Sequence, residues 1–321
     1  MKVIVIGCGV VGLTSGVRLL EAGHEVEIWS RDLPPNTTSN IAAAIWHPYK
    51  AYPVERVVEW GRKSFEVFSN LAEDKRTGII MRETLEIYTT EMPDPEWRSC
   101  VRVFRRGLPE EILEGYATCY IFETPVIEMS IYLPYMMNRF QLSGGTIVQR
   151  EVASLDDALA ESEVVVNCTG LGAMTLVGDK TMYPIRGQIV RVEPPPVSRV
   201  LLDEDEETGV TYIIPRSRDC YLGGTAEVGN WSLEPDVATS KEIIERCARI
   251  APEVLDSKVV EHIVGLRPGR PTVRLEPETQ PDGKLVIHNY GHGGAGITLS
   301  WGCAEEVASL VASAAPQPAA R

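Results

Sequence analysis

Gly7, Gly9 and Gly12 stand in the spacing G-x-G-x-x-G, whose chemistry is the cradling of a pyrophosphate. The first glycine permits a tight turn, the second lets the phosphates approach the backbone, and the third lets a helix pack closely on a strand. The N–H groups of the helix start then face the anion. Further on, Asp32 stands where a dinucleotide fold places an acid to hold the adenine ribose. Arg31 beside it leaves a second reading open, a site for the extra phosphate of NADP, and the pair can equally be a surface ion pair. Thr37-Thr38-Ser39 suits a loop that donates to phosphate, followed by Ala42-Ala43-Ala44 with backbone packed against a flat ring. The same hydroxyls also suit an ordinary helix N-cap. His47 precedes a proline, has no obvious partner, and is read as structural.

Those residues need elements to position them. Val3–Ile6 is a continuous apolar run, as expected of a central parallel strand buried on both faces. Leu13, Val17 and Leu20 then recur at helical spacing, Gly23 is a plausible stop, and a strand follows at Glu25–Trp29. Residues 54–73 read as a helix. From Ile79 the pattern changes to short strands and turns, suggesting an antiparallel sheet, with helices at Ile131–Leu142 and Ser240–Ile250. EVVVN at 163–167 returns to the buried parallel type. Near the C-terminus LVIH enters a turn containing Gly291, Gly293, Gly294 and Gly296, then a helix bearing Leu299, Cys303, Val307 and Leu310. A second helix start after small residues brings N–H groups against another part of a large ligand. Two such sites at opposite ends of one chain fit a long cofactor such as FAD; alone, the second is equally a packing turn.

The 321 residues suffice for two domains, and 44% hydrophobic content permits large cores. With 31 Lys and Arg against 45 Asp and Glu the net charge is −14, with no basic block, which argues against nucleic acid or an anionic membrane as partner. Seven scattered cysteines without a C-x-x-C pair read as reduced thiols, not as a zinc site or disulfide framework. No run reaches transmembrane length, and the N-terminal apolar strand is too short for a signal peptide, so a soluble cytoplasmic protein is expected. The acidic turn Asp203–Thr208 reads as solvated, though placed where a loop could cover a site, and Ala312–Arg321 is expected to fray.

The stretch VIHNYGHGGAGITLSWGCA resembles the C-terminal signature of the D-amino-acid oxidase family of flavoproteins. TTSNIAAAIWHPY, VNCTG, IRGQ, YIIPR, GGTAEVGNW and VGLRPGRP are similar to that family's other blocks, in its order. The resemblance spans nearly the whole chain. It implies an α/β fold, α+β overall, with a discontinuous Rossmann-type FAD-binding domain (1–75, 145–185 and 259–321). A substrate domain with a mixed, largely antiparallel sheet would take 76–144 and 186–258. By position, the resemblance has FAD touching Gly7, Gly9, Val10, Val11, Gly12, Arg31, Asp32, Thr37, Thr38, Ser39, Ala43, Ala44 and Ile45. It adds Val152, Thr169, Gly293, Gly294, Ala295, Gly296, Ile297 and Thr298. Arg267 in GLRP and Tyr212 in YIIP would read the substrate carboxylate, and the Gly294 carbonyl would receive the amino group. The chain departs from the family where many members have a second tyrosine: here stand the acidic turn and Ala226. It ends Ala-Ala-Arg, without the peroxisomal tripeptide of many eukaryotic members.

The reaction so implied is oxidation of a D-amino acid by hydride transfer from Cα to flavin N5, giving a 2-oxo acid, ammonia and hydrogen peroxide. Arg267 is chemically apt, since only guanidinium offers a planar fork to a carboxylate. Arg270 and Arg274 nearby keep a structural ion pair open as its other reading. No side-chain base is required and none presents itself. Neutral, aliphatic side chains are expected to be preferred, because an acidic one needs a second cation, for which Arg216 is the candidate. Rival readings are a glycine/sarcosine-type oxidase, a D-aspartate oxidase, or a nucleotide-binding regulatory protein without turnover. The family suggests a homodimer, and no metal is expected.

Overall fold

A computed structural model describes residues 1–48, 51–203 and 209–314, so the acidic turn beyond Asp203 and the last seven residues lie outside the described residues. Among these, strands form two sheets, one of six strands and one of nine. The six-stranded sheet runs in the order Arg274–Thr279, Leu285–Tyr290, Val164–Asn167, Lys2–Ile6, Glu25–Ser30, Thr146–Gln149. All neighbours are parallel except the first pair. The apolar runs explain the order: Val3–Ile6 and Val164–Val166 are buried on both faces, and only the centre of a covered parallel sheet accepts such strands.

The first helix, Val10–Glu21, starts directly from the glycine turn, and the chain leaves it through Gly23 at φ +84°. Leu13 and Val17 are buried against the sheet, each contributing about 1.5–3 kcal/mol. Helix Met129–Leu142 packs on the first helix, with the Phe140 ring over Gly16, and its buried face joins the core that contains Val3 and Val5. It therefore sits with the nucleotide sheet, whereas the sequence grouped residues 76–144 with the substrate sheet.

In the nine-stranded sheet the pairings are antiparallel except Ile79–Tyr88 beside Val200–Asp203. Its long Tyr183–Val192 strand pairs with Val259–Gly269 along nearly its full length. Residues 259–269 and 183–185 thus belong to this sheet and not, as expected, with the nucleotide sheet. The cause is non-local: the apolar pattern of 259–264 names a strand but not its partner. One face of the sheet packs Leu85, Ile87, Leu201, Ile213 and Leu222 against helix Val237–Ile250. The other face turns Leu202, Tyr212 and Ile214 toward the nucleotide sheet. No helix among the described residues is long and apolar enough to cross a membrane.

Candidate active site

A cavity of about 1130 Å³ runs from the carboxyl ends of the parallel strands to the face of the second sheet. At the nucleotide end the glycines make room in the way their spacing requires. Gly7 has φ +112°, and a Cβ there would stand 2.5 Å from the Cys168 carbonyl oxygen. A Cβ on Gly12 would stand 1.9 Å from the Gly7 carbonyl oxygen, so helix and strand touch backbone to backbone. With glycine at the N-cap no side-chain oxygen is supplied from that position, and the first turn presents its N–H groups to the cavity. Ser39 Oγ reaches in from the next segment and accepts the Val10 N–H at 3.0 Å. A cradle of close-packed glycine and a helix start facing a long cavity fits the pyrophosphate and ring of FAD.

Thr37 takes the N-cap role foreseen as the alternative, boxing Asn40 at the start of helix Thr38–Ile41, while Thr37, Thr38 and Ser39 all line the cavity. Arg31 and Asp32 line it too, joined by an exposed ion pair of 2.7 Å. The neighbouring acid thus occupies the guanidinium that a 2′-phosphate would need. Ala43, Ala44, Ile45, Val152 and Thr169 lie on the wall, as do Gly293, Gly294, Gly296 and Ile297. Three expected contacts do not line it. Gly12 is spent on helix packing, Ala295 is buried beside Val273 and Leu299, and Thr298 is spent on His47. The Thr298 hydroxyl accepts the His47 N–H (3.1 Å) and donates to the His47 carbonyl (2.8 Å). Burial pushes the Cys8 and Cys168 thiols up to about 12, so neither offers a thiolate to the cavity.

At the other end Arg267 projects from Val259–Gly269 and its guanidinium lies flat over Gly187. A Cβ on Gly187 would stand 2.3, 2.6 and 2.7 Å from Nη1, Cζ and Nη2. Nη1 donates to the Thr225 carbonyl at 2.9 Å, and Arg267 has no carboxylate in ion-pair range among the described residues. Arg270 and Arg274, by contrast, are paired with Asp179 and Glu276, so the structural reading falls to them. Tyr212 lies across Gly223 and Gly224, where a Cβ would meet the ring at 2.0 Å and the hydroxyl at 2.9 Å. The two glycines of GGT thus give the phenol its place. The C-terminal glycine segment is tied to the Arg267 strand, since the Gly293 N–H donates to the Pro268 carbonyl at 2.9 Å. Gly294 is therefore held at a fixed offset from Arg267.

Arg216 does not line the cavity. It makes a two-bond pair with Asp219, 2.6 Å each, and stacks 3.7 Å over Tyr221. Two histidines do line it. His47, read as structural and without a partner, has Nε2 3.2 Å from Glu86 Oε1, with both side chains buried. Nothing in the sequence pairs them: Glu86 alternates with Leu85 and Ile87 as a solvent-facing strand residue would, but its face is covered by the nucleotide layer. His292 is held neutral by burial, which pulls it down to about 4, and its Nε2 has no hydrogen-bond partner among the described residues.

Residues 2–310 match the family model described as FAD dependent oxidoreductase. A D-amino-acid oxidase of Rubrobacter xylanophilus is 50% identical over 98% of this chain and 96% of its own length. One of Streptomyces coelicolor is 42% identical over 96% of each. In fold, the chain is similar to the L-proline dehydrogenase of P. horikoshii, with a TM-score of 0.80 at 16% identity, covering 97% of this chain and 93% of that one. The chain belongs to the FAD-dependent oxidoreductase family that contains the D-amino-acid oxidases.

Proposed function

We propose that the chain oxidises D-amino acids, converting substrate, oxygen and water to a 2-oxo acid, ammonia and hydrogen peroxide. The observation that carries this reading is the Arg267 guanidinium, laid flat in the cavity and lacking a carboxylate partner among the described residues. Its remaining N–H groups match a substrate carboxylate in two parallel bonds. Tyr212 adds a phenol donor from a strand end, and the Gly294 carbonyl accepts from the neutral amine. Held at both groups, the α-carbon is presented in one orientation, which is what the protein must supply. Bound FAD, cradled by the residues that line the nucleotide end of the cavity, supplies the two-electron oxidation. Because Arg216 is engaged with Asp219, the substrate end offers no second free guanidinium among the described residues, which favours neutral, aliphatic side chains.

The reading extends to a cytoplasmic homodimer: the seven cysteines are all unpaired, as in a reducing compartment, and the family resemblance suggests the dimer. Light scattering of the purified protein tests the assembly. The activity is tested anaerobically. The yellow protein should bleach with D-valine, recover its colour in air with release of peroxide, and release FAD on denaturation. Bleaching by L-valine or glycine in preference to D-valine would overturn the substrate class, and release of only a pyridine nucleotide would overturn the cofactor.

A further inference from the structure

The support for Arg267 does not end at the groups it touches. Gly187 lies between Arg186 and Gln188, and on a strand neighbours alternate faces. The face that carries the Arg267 guanidinium is therefore opposite the one from which Arg186 and Gln188 project. Arg186 is 4% exposed and uses its fork on one segment. Nε donates to the Ser232 carbonyl (3.1 Å), Nη1 to Glu227 Oε1 (2.6 Å), and Nη2 to the Glu234 carbonyl (2.7 Å) and to Gln188 Oε1 (2.9 Å). Gln188 in turn donates to the Asp236 carbonyl and Ser240 Oγ, and accepts the Asp236 N–H (2.9 Å). At the other end of the segment the Gln188 N–H donates to Thr225 Oγ1 (2.9 Å) and the Thr225 N–H to the Gln188 carbonyl (3.2 Å).

Residues 225–236 are thus held at Thr225 by the Gln188 backbone and from Glu227 to Asp236 by the buried Arg186 and Gln188 side chains. Two features of that segment belong to the cavity. The Thr225 carbonyl holds Arg267 Nη1, and Trp231 and Leu233, 53% and 61% exposed, line the cavity wall. Exposed apolar side chains keep a fixed place on a wall only when their backbone is held, and here the Ser232 and Glu234 carbonyls that flank Leu233 are the ones Arg186 holds.

We propose that Arg186 is a positioning residue for substrate binding. Without touching the substrate, it fixes the 225–236 segment, and through it the orientation of the Arg267 fork and the Trp231–Leu233 wall. The inference rests on the reading of Arg267 as the carboxylate site. Lysine at 186 keeps the charge but carries its three donors on one nitrogen, without the planar fork that spans the four acceptors on Ser232, Glu227, Glu234 and Gln188.

The test uses the FAD-loaded full chain and two readouts, steady-state oxidation of D-valine and the flavin absorbance change on titration with benzoate, a carboxylate that has no α-hydrogen. In Arg186→Lys, KM for D-valine and Kd for benzoate should rise together by roughly tenfold with kcat within about threefold, since a misplaced fork weakens ground-state binding. Changes below twofold in both, or a fall in kcat with KM unchanged, would overturn the proposal. Should Arg186→Lys fail to fold or retain FAD, Glu227→Gln decides, because it removes one charged acceptor on a half-exposed side chain. A rise in benzoate Kd of roughly threefold is then expected, on the scale of one weakened charge-assisted bond, and no rise overturns the proposal. If the wild type binds benzoate but is reduced by no D-amino acid, the oxidase reading fails while the benzoate comparison still decides the role of Arg186. If the wild type binds no benzoate, the carboxylate site and the proposal fall together.

Discussion

A guanidinium resting on a glycine is defined by the absent side chain as much as by its own. Arg267→Ala should lose about 2–5 kcal/mol in kcat/KM, as for truncating one partner of a charge pair. Arg267→Lys should recover little of it, and a near-normal kcat/KM in either variant with FAD bound would remove Arg267 from the substrate site. Gly187→Ala is a sharper probe, because its methyl would displace Nη1, Cζ and Nη2 from their seat without altering charge. It should raise KM for D-valine in the same direction as Arg267→Lys while the flavin content stays unchanged; an unaltered KM would mean that the fork tolerates another seat. Substrate charge is decided by kcat/KM for D-valine against D-aspartate. D-valine should be preferred, and the opposite order would require a second cation at the substrate end. Of these residues, Arg267 and Tyr212 are singled out by the resemblance of GLRP and YIIP to the family's blocks, and both line the cavity. Gly187 and Glu86 are not legible in the sequence, since a glycine beneath a guanidinium and a carboxylate facing a covered layer show their roles only when the sheets are assembled.

Element by element, the glycine turn is the part most sensitive to a single methyl group. Gly12→Ala places a Cβ 1.9 Å from the Gly7 carbonyl oxygen, which neither helix nor strand can yield without separating. The variant should purify colourless or lose FAD on gel filtration, and a yellow, fully loaded Gly12→Ala protein would refute the close packing. The strands Val3–Ile6 and Val164–Asn167 and the helix between Val10 and Glu21 were readable because burial on both faces, a 3.6-residue period and a terminal glycine are local signals. The partner of Val259–Gly269 was not, because pairing with Tyr183–Val192 joins segments far apart in sequence and leaves no mark in either segment alone. The helix expected at Ile131–Leu142 forms over Met129–Leu142, and its place beside the nucleotide sheet is hidden for the same reason, its contact with Gly16 leaving no local mark in the sequence.

Across the whole molecule, acid stability carries the mark of His292. Burial holds its imidazole down to about 4, against about 6.5 in the unfolded chain. As pH falls through 6.5 the unfolded state takes up a proton that the folded state refuses until about 4. The stability present above 6.5 is therefore lost between those values, by about 3 kcal/mol, and levels off below. Urea unfolding at pH 7.5 and 5 with saturating FAD should show this slope, and His292→Asn should flatten it; an unchanged slope in the variant would assign it elsewhere. The segment Ala44–His47 carries a different consequence. Its backbone is bonded on one side to Thr298 and on the other to Pro125, Ile127 and the Thr124 hydroxyl, with Trp46 wholly buried between. A strap fastened to both walls keeps them from swinging apart like jaws. Opening of the cavity by separation of its two walls would have to break that strap, with the Trp46 ring drawn out of its burial.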